Sequence, residues 1–177
     1  MIRGKHISLR HVSERDLPLL LEMVNALEKR GEHSSTRLAS PHKLRKDFVE
    51  TGFSSEAFER LLIVDKHDNV IGNVMHFTTR PYTNARELGY IIYKKEARRK
   101  GHGTEAVKLL KDYLFDNFPV NRLEIAMNTE NVASEKIAKK CGFTKEGTQR
   151  EIVLVRGQYC DIHLYSLLRK EWKKQRG

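Results

Sequence analysis

Apolar residues recur at two different periods along this chain, and the switches between them divide it into elements. Ile7 to Val12 reads as a short strand, and Ser13 followed by Asp16 is a capping arrangement with Asp in place of the usual Glu. From Leu17 onward, Leu20, Met23, Val24 and Leu27 recur at helical spacing. The polar, serine-rich stretch from Gly31 to Pro41 predicts a loop, and Pro41 to Val49 a second helix. Leu61 to Val64 and Val70 to Phe77 are strand runs joined by a turn at Asp68-Asn69, and after a connection at Arg80 to Asn84 comes a fourth strand, Glu87 to Tyr93. Val107, Leu110 and Leu114 share one face of a helix over Glu105 to Phe115. Leu123, Ile125 and Met127 alternate as a fifth strand. Ile137 and Cys141 lie one turn apart on a short helix that Gly142 stops. Glu151 to Val155 and Tyr159 to Leu168, separated by Arg156-Gly157, predict a closing hairpin. That order packs economically as an α/β (α+β) protein with a single mixed, mostly antiparallel sheet of about seven strands and helices on both faces.

Length and charge change the picture only a little. A chain of 177 residues can bury one good core and is short for two, so residues 1–177 are expected to form one domain. The basic run at 170–177 is expected to be a frayed, solvated tail. No apolar run approaches bilayer length and no apolar signal core follows Met1, which predicts a cytoplasmic protein without a membrane partner. The net charge of +10 could recruit nucleic acid or a small anionic ligand. The cations are spread over Arg98 to Lys100, Lys139-Lys140 and Arg169 to Arg176, and no aromatic-basic RNA-binding signature accompanies them. Nucleic acid is therefore not expected as the substrate. Cys141 and Cys160 have no metal-like spacing and the histidines are scattered, so no metal is expected.

The stretch that carries chemistry is Arg98-Arg99-Lys100-Gly101-His102-Gly103-Thr104. It lies between a strand and a helix, with two glycines that let the backbone turn tightly beside a ligand. The following helix aims its unpaired N–H groups and positive dipole end into the turn. A strand, a basic glycine turn and a helix start make a pyrophosphate site. Gly101 to Ala106 also matches the dinucleotide pattern Gly-x-Gly-x-x-Ala. That pattern, however, puts its first glycine at the strand end, whereas here the polar run Lys94 to Lys100 intervenes.

Arg98-x-x-Gly101-x-Gly103, together with a second block Asn131-x-x-Ser134-x-x-Ile137-Ala138-x-Lys140-x-Gly142-Phe143, resembles the GNAT superfamily of N-acetyltransferases. Within it, the chain most resembles the enzymes that acetylate the N-termini of ribosomal proteins. The resemblance implies the acyl-CoA N-acyltransferase fold and acetyl-CoA as cofactor, released as coenzyme A. It implies that Arg98, Arg99, Lys100, Gly101, His102, Gly103 and Thr104 hold the pyrophosphate. It also implies that the pantetheine arm pairs with the backbone at Ile91, Ile92 and Tyr93, and that Asn131 hydrogen-bonds the arm. Many members carry a Tyr where this chain has Ala138, which cannot protonate the departing thiolate. Ser134 matches a serine of the ribosomal-protein subgroup and could hydrogen-bond that thiolate instead.

The expected reaction is direct transfer to a primary amine in a ternary complex. A neutral amine must attack, so a base is needed. Glu87, on the same strand face as Gly89 and Ile91, is the first candidate, and Glu146 the second. The leading acceptor is a protein N-terminus. A small amine (polyamine, amino sugar or antibiotic) is the alternative, and a non-enzymatic acyl-CoA or nucleic-acid binder a remoter one. The acceptor surface is expected from Glu28 to Phe58 and from the Thr148 to Cys160 hairpin. A homodimer is compatible with the sequence, which does not decide the oligomeric state.

Overall fold

The computed structural model describes residues 1–28, 30–80 and 82–176. Lys29, within the expected acceptor surface, Pro81, within the connection at 80–84, and Gly177, at the end of the basic run, lie outside the described residues. Among the described residues eight strands form one sheet: β1 (Ile2–Arg3), β2 (Ser8–His11), β3 (Phe58–Val64), β4 (Val70–Phe77), β5 (Ala85–Ile92), β6 (Arg122–Asn128), β7 (Thr144–Val155) and β8 (Gln158–Leu168). Their spatial order is β1-β2-β3-β4-β5-β6-β8-β7. All neighbours are antiparallel except β5 and β6. The strand absent from the sequence reading is β1, whose two residues are too few to carry a period. The expected fourth strand is β5.

Five α-helices among the described residues cover the sheet: α1 (Leu17–Asn25), α2 (Pro41–Thr51), α3 (His102–Asn117), α4 (Val132–Lys140) and α5 (Arg169–Arg176). The Ser13/Asp16 capping box forms, with the Asp16 carboxylate accepting from the Ser13 N–H at 2.8 Å. Two apolar cores result, one on each face. Val107, Leu110 and Leu114 of α3, Ala138 of α4 and Trp172 of α5 pack with Leu123, Ile125 and Leu167. Leu17, Leu20 and Met23 of α1 and Leu44 of α2 pack with Leu62 and Val64 on the other face.

The basic C-terminal run is a packed helix, not a frayed tail. Trp172 is 5% exposed and stacks on Phe115 with centroids 5.1 Å apart. Its indole N–H donates to Asp112 at 2.7 Å. Arg169 donates to the carbonyls of Phe115, Phe118 and Val120, the open C-terminal end of α3 and the chain just beyond it. The charges on either side hid a single buried aromatic in a run of eight.

The one parallel contact positions everything that follows. β5 and β6 pair only over Ala85–Glu87 and Arg122–Glu124, although β5 continues to Ile92 and β6 to Asn128. Beyond Glu87 the two strands part, and the sheet opens into a fork.

Candidate active site

Alternation along β5 decides which backbone groups the fork exposes. The Tyr93 N–H donates to Ile71 O at 2.9 Å, so Tyr93, and Ile91 with it, turn their backbone groups toward β4. Tyr90 and Ile92 then present theirs to the fork. Of the three residues expected to pair with the pantetheine arm, only Ile92 offers its backbone there. A cavity of about 310 Å³ fills the fork, lined by Glu87, Gly89 and Tyr90 of β5, Asn128 of β6, and Asn131 and Ser134 of α4. His33 from the loop and Val153 from the hairpin also line it, one from each of the two expected acceptor segments.

The glycine turn closes one end of this arrangement. Gly101 has φ of +84° and Arg99 φ of +60°, the left-handed conformations that turn the chain into α3. The first intrahelical bond runs from the Glu105 N–H to Gly101 O at 3.0 Å, so the N–H groups ahead of it are not used by the helix. His102 Nδ1 is buried with no hydrogen-bond partner among the described residues. Arg98 Nε donates to Ile92 O at 2.8 Å and ties the turn to the end of β5, while Arg99 and Lys100 are exposed. Unused donors, an orphaned imidazole nitrogen and exposed cations fit a pyrophosphate. Gly101→Val would force a β-branched residue into positive φ, which costs about 1–3 kcal/mol. A rise in the acetyl-CoA Kd on the order of tenfold, measured by calorimetric titration, is expected.

Glu87 lies at the root of the fork, where its register partner on the parallel strand is Glu124. Burial, and then the neighbouring Glu124 charge, push the Glu87 carboxyl up to about 7, with Arg80 opposing. No described residue donates a hydrogen bond to it. Glu124 is 3% exposed and accepts from Arg122 Nε at 2.7 Å. The second candidate base, Glu146, is elsewhere. Arg122 binds it at 3.0 Å, Ser166 donates to it, and these two hold its carboxyl below the usual range. It lines neither the fork nor the acceptor-side cavity beside it. Arg122, which also binds Glu124, connects it to the carboxylate beside Glu87.

Asn131 caps α4, its Oδ1 accepting from the Ser134 N–H at 3.1 Å, and still lines the fork. Capping and cofactor contact are therefore compatible in one side chain. Ser134 Oγ lies 2.7 Å from the Tyr90 hydroxyl. Burial pushes the Tyr90 phenol up to about 12, so it stays protonated. A sequence reading treats Tyr90 as wall and Glu124 as an ordinary polar strand position, because neither partner is near in sequence. The parallel β5–β6 register is the only signal that could have found Glu124.

The model of the acetyltransferase (GNAT) domain matches residues 6–144. This chain belongs to the GNAT acetyltransferase family. It is an acetyl-CoA-dependent N-acetyltransferase. It is 26% identical to a putative ribosomal N-acetyltransferase, YdaF, of Bacillus subtilis, over 98% of this chain and 97% of that protein. It is 35% identical to an uncharacterized N-acetyltransferase, p20, of Bacillus licheniformis, over 63% of this chain and 62% of that protein. In fold it is similar to the spermidine N-acetyltransferase of Vibrio cholerae solved with CoA and spermine (TM-score 0.83, 21% identity, 94% of this chain and 98% of that one). It is also similar to RimL, a ribosomal L7/L12 alpha-N-protein acetyltransferase solved with coenzyme A (TM-score 0.80, 18% identity, 96% and 98%). The GNAT fork here has Ala138, 0% exposed, on the buried side of α4, so the polar groups of that helix at the fork are Asn131 and Ser134. Among the described residues no helix is long and apolar enough to cross a membrane.

Proposed function

We propose that this GNAT enzyme acetylates the α-amine of a protein N-terminus, with Glu87 as base and the Tyr90–Ser134 pair at the departing sulfur. The observation that carries the reading is the meeting of these three side chains in one cavity at the fork. Acetyl-CoA, when bound, supplies a thioester carbonyl to be attacked by an amine. The turn at Arg99 to Thr104 holds the pyrophosphate end, and Asn131 with the Ile92 backbone steadies the arm. The Tyr90 N–H, facing the fork, is placed to stabilise the oxygen charge that develops during attack. Glu87 accepts the proton of the amine, directly or through one water. A carboxyl near 7 suits this, since a base is most effective when its pKa lies close to the working pH. Ser134 donates to the sulfur as the C–S bond breaks, and Tyr90 donates to Ser134 Oγ and holds it in place.

The N-terminus reading is supported by the likeness to YdaF along nearly the whole chain. Its test is a competition: a serine-initiated peptide and spermidine incubated together with acetyl-CoA and analysed by mass spectrometry. Acetyl on the peptide α-amine is the expected product, and acetyl on spermidine alone would refute the reading. Tyr90→Phe removes one hydrogen bond, worth about 0.5–1.5 kcal/mol net. A fall in kcat of up to about tenfold is expected, with the acetyl-CoA Kd by calorimetry unchanged.

A further inference from the structure

A second, larger cavity of about 720 Å³ lies between the α1–α2 side and β3–β5, and it adjoins the fork because Tyr90 lines both. Among its described lining residues four are cationic, Arg30, Arg37, Lys43 and Arg60, and one is acidic, Asp47. Lys43 and Asp47 neutralise each other, one turn apart on α2, at 3.1 Å. None of the three guanidinium groups is ion-paired with a carboxylate among the described residues, although the Asp47 charge also reaches Arg60. Arg30 Nη1 is spent on carbonyls, those of Val24 at 3.1 Å and Arg37 at 2.9 Å, which orient it without cancelling its charge. Arg37 is exposed.

Arg60 is the most telling of the three. Its guanidinium lies 5.3 Å from the Phe53 ring centroid and 5.6 Å from that of Phe58. Its Nε is buried with no hydrogen-bond partner among the described residues, and burial pushes its pKa down. A guanidinium held by aromatic faces with an unused N–H is poorly solvated and poorly paired. A planar carboxylate from a ligand would satisfy both needs at once. The N-terminal end of α2 also lines the cavity at Ser40 and Lys43 and adds a positive dipole end.

We propose that the acceptor is an amine carrying a carboxylate close by, its amine at Glu87 and its acidic group in the cavity of Arg30, Arg37 and Arg60. This rests on the reading of the fork as the acetyl-transfer site given above. Two sources share the chemistry: an N-terminus followed by Asp or Glu within its first few residues, and a free acidic amino acid. A polyamine has the wrong sign. Its distal ammonium groups would meet three guanidinium groups that no described carboxylate ion-pairs.

The test measures kcat/KM at saturating acetyl-CoA for matched peptides that begin with Ser and continue with Glu, Gln or Lys, alongside free glutamate and spermidine. The Glu peptide is expected to exceed the Lys peptide by on the order of tenfold or more, since like charges brought together at a binding site are strongly disfavoured. That ratio should shrink with added salt. Arg60→Gln should shrink it too, chiefly through KM for the Glu peptide. Arg37→Gln, at an exposed position where folding is not at stake, should do so in the same direction. Equal turnover of all three peptides, or a ratio untouched by both variants, would overturn the charge inference and leave the N-terminus reading standing. Turnover of glutamate and no peptide would support the inference and overturn the N-terminus reading. Preference for spermidine would overturn both.

Discussion

Glu87→Gln is expected to lower kcat/KM by about 10²–10⁴, the usual contribution of a positioned general base. The substitution keeps the size and hydrogen-bonding shape of the side chain and removes its ability to take a proton. Its effect on stability should run the other way. A carboxyl raised to about 7 binds a proton in the folded chain that it would release in the unfolded chain at pH 5 to 7. Folding stability therefore falls as pH rises through that window, and the whole cost is present above it. Each pH unit of displacement is worth about 1.4 kcal/mol, and about one unit is a prudent figure for a group that solvent partly reaches. Glu87→Gln should thus melt roughly 3–6 °C higher than the parent at pH 8 for a chain of this size. An inactive variant with a raised Tm separates loss of a base from loss of fold. A variant with ordinary activity would place the base elsewhere.

Trp172→Ala should destabilise the protein by about 3–5 kcal/mol, the range for truncating a buried aromatic. At this chain length that corresponds to a fall in Tm of roughly 10 °C. The ring stacks on Phe115, lies under the Arg176 guanidinium at 4.9 Å and donates to Asp112, so three contacts are lost together. Thermal melting by circular dichroism would check this. A shift within about 1 °C, as at an unpacked surface position, would return the C-terminal run to the status of a solvated tail.

The elements that carry a clean period were legible in the sequence. Val70 to Phe77 forms β4 with the expected bounds, and Leu123, Ile125 and Met127 face one core as their alternation required. The glycine turn was legible because Gly101 and the cations beside it are unusual at a helix start. Three features were not. The C-terminal helix has one buried apolar side chain among charges, so its amphipathic signal is faint. The Glu87–Glu124 pair depends on a parallel register across 37 positions of sequence, which no local pattern encodes. The Tyr90–Ser134 contact depends on where α4 lands over the fork, again a matter of tertiary packing. Glu146 illustrates the converse. It is the second candidate base in sequence, but it pairs with Arg122 and lines neither cavity.

The most direct measurement is the pH profile of kcat/KM for a serine-initiated acidic peptide at saturating acetyl-CoA, for the parent and Glu87→Gln side by side. With Glu87 as base and the amine required neutral, the parent rate should climb by up to about a hundredfold per pH unit below about 7, tenfold per unit from there to the amine's own pKa near 8, and level off above it. The variant should lie far below and lack that inflection. A parent profile with no inflection near 7, or one that Glu87→Gln preserves, would contradict the assignment of the base and with it the proposed geometry of transfer.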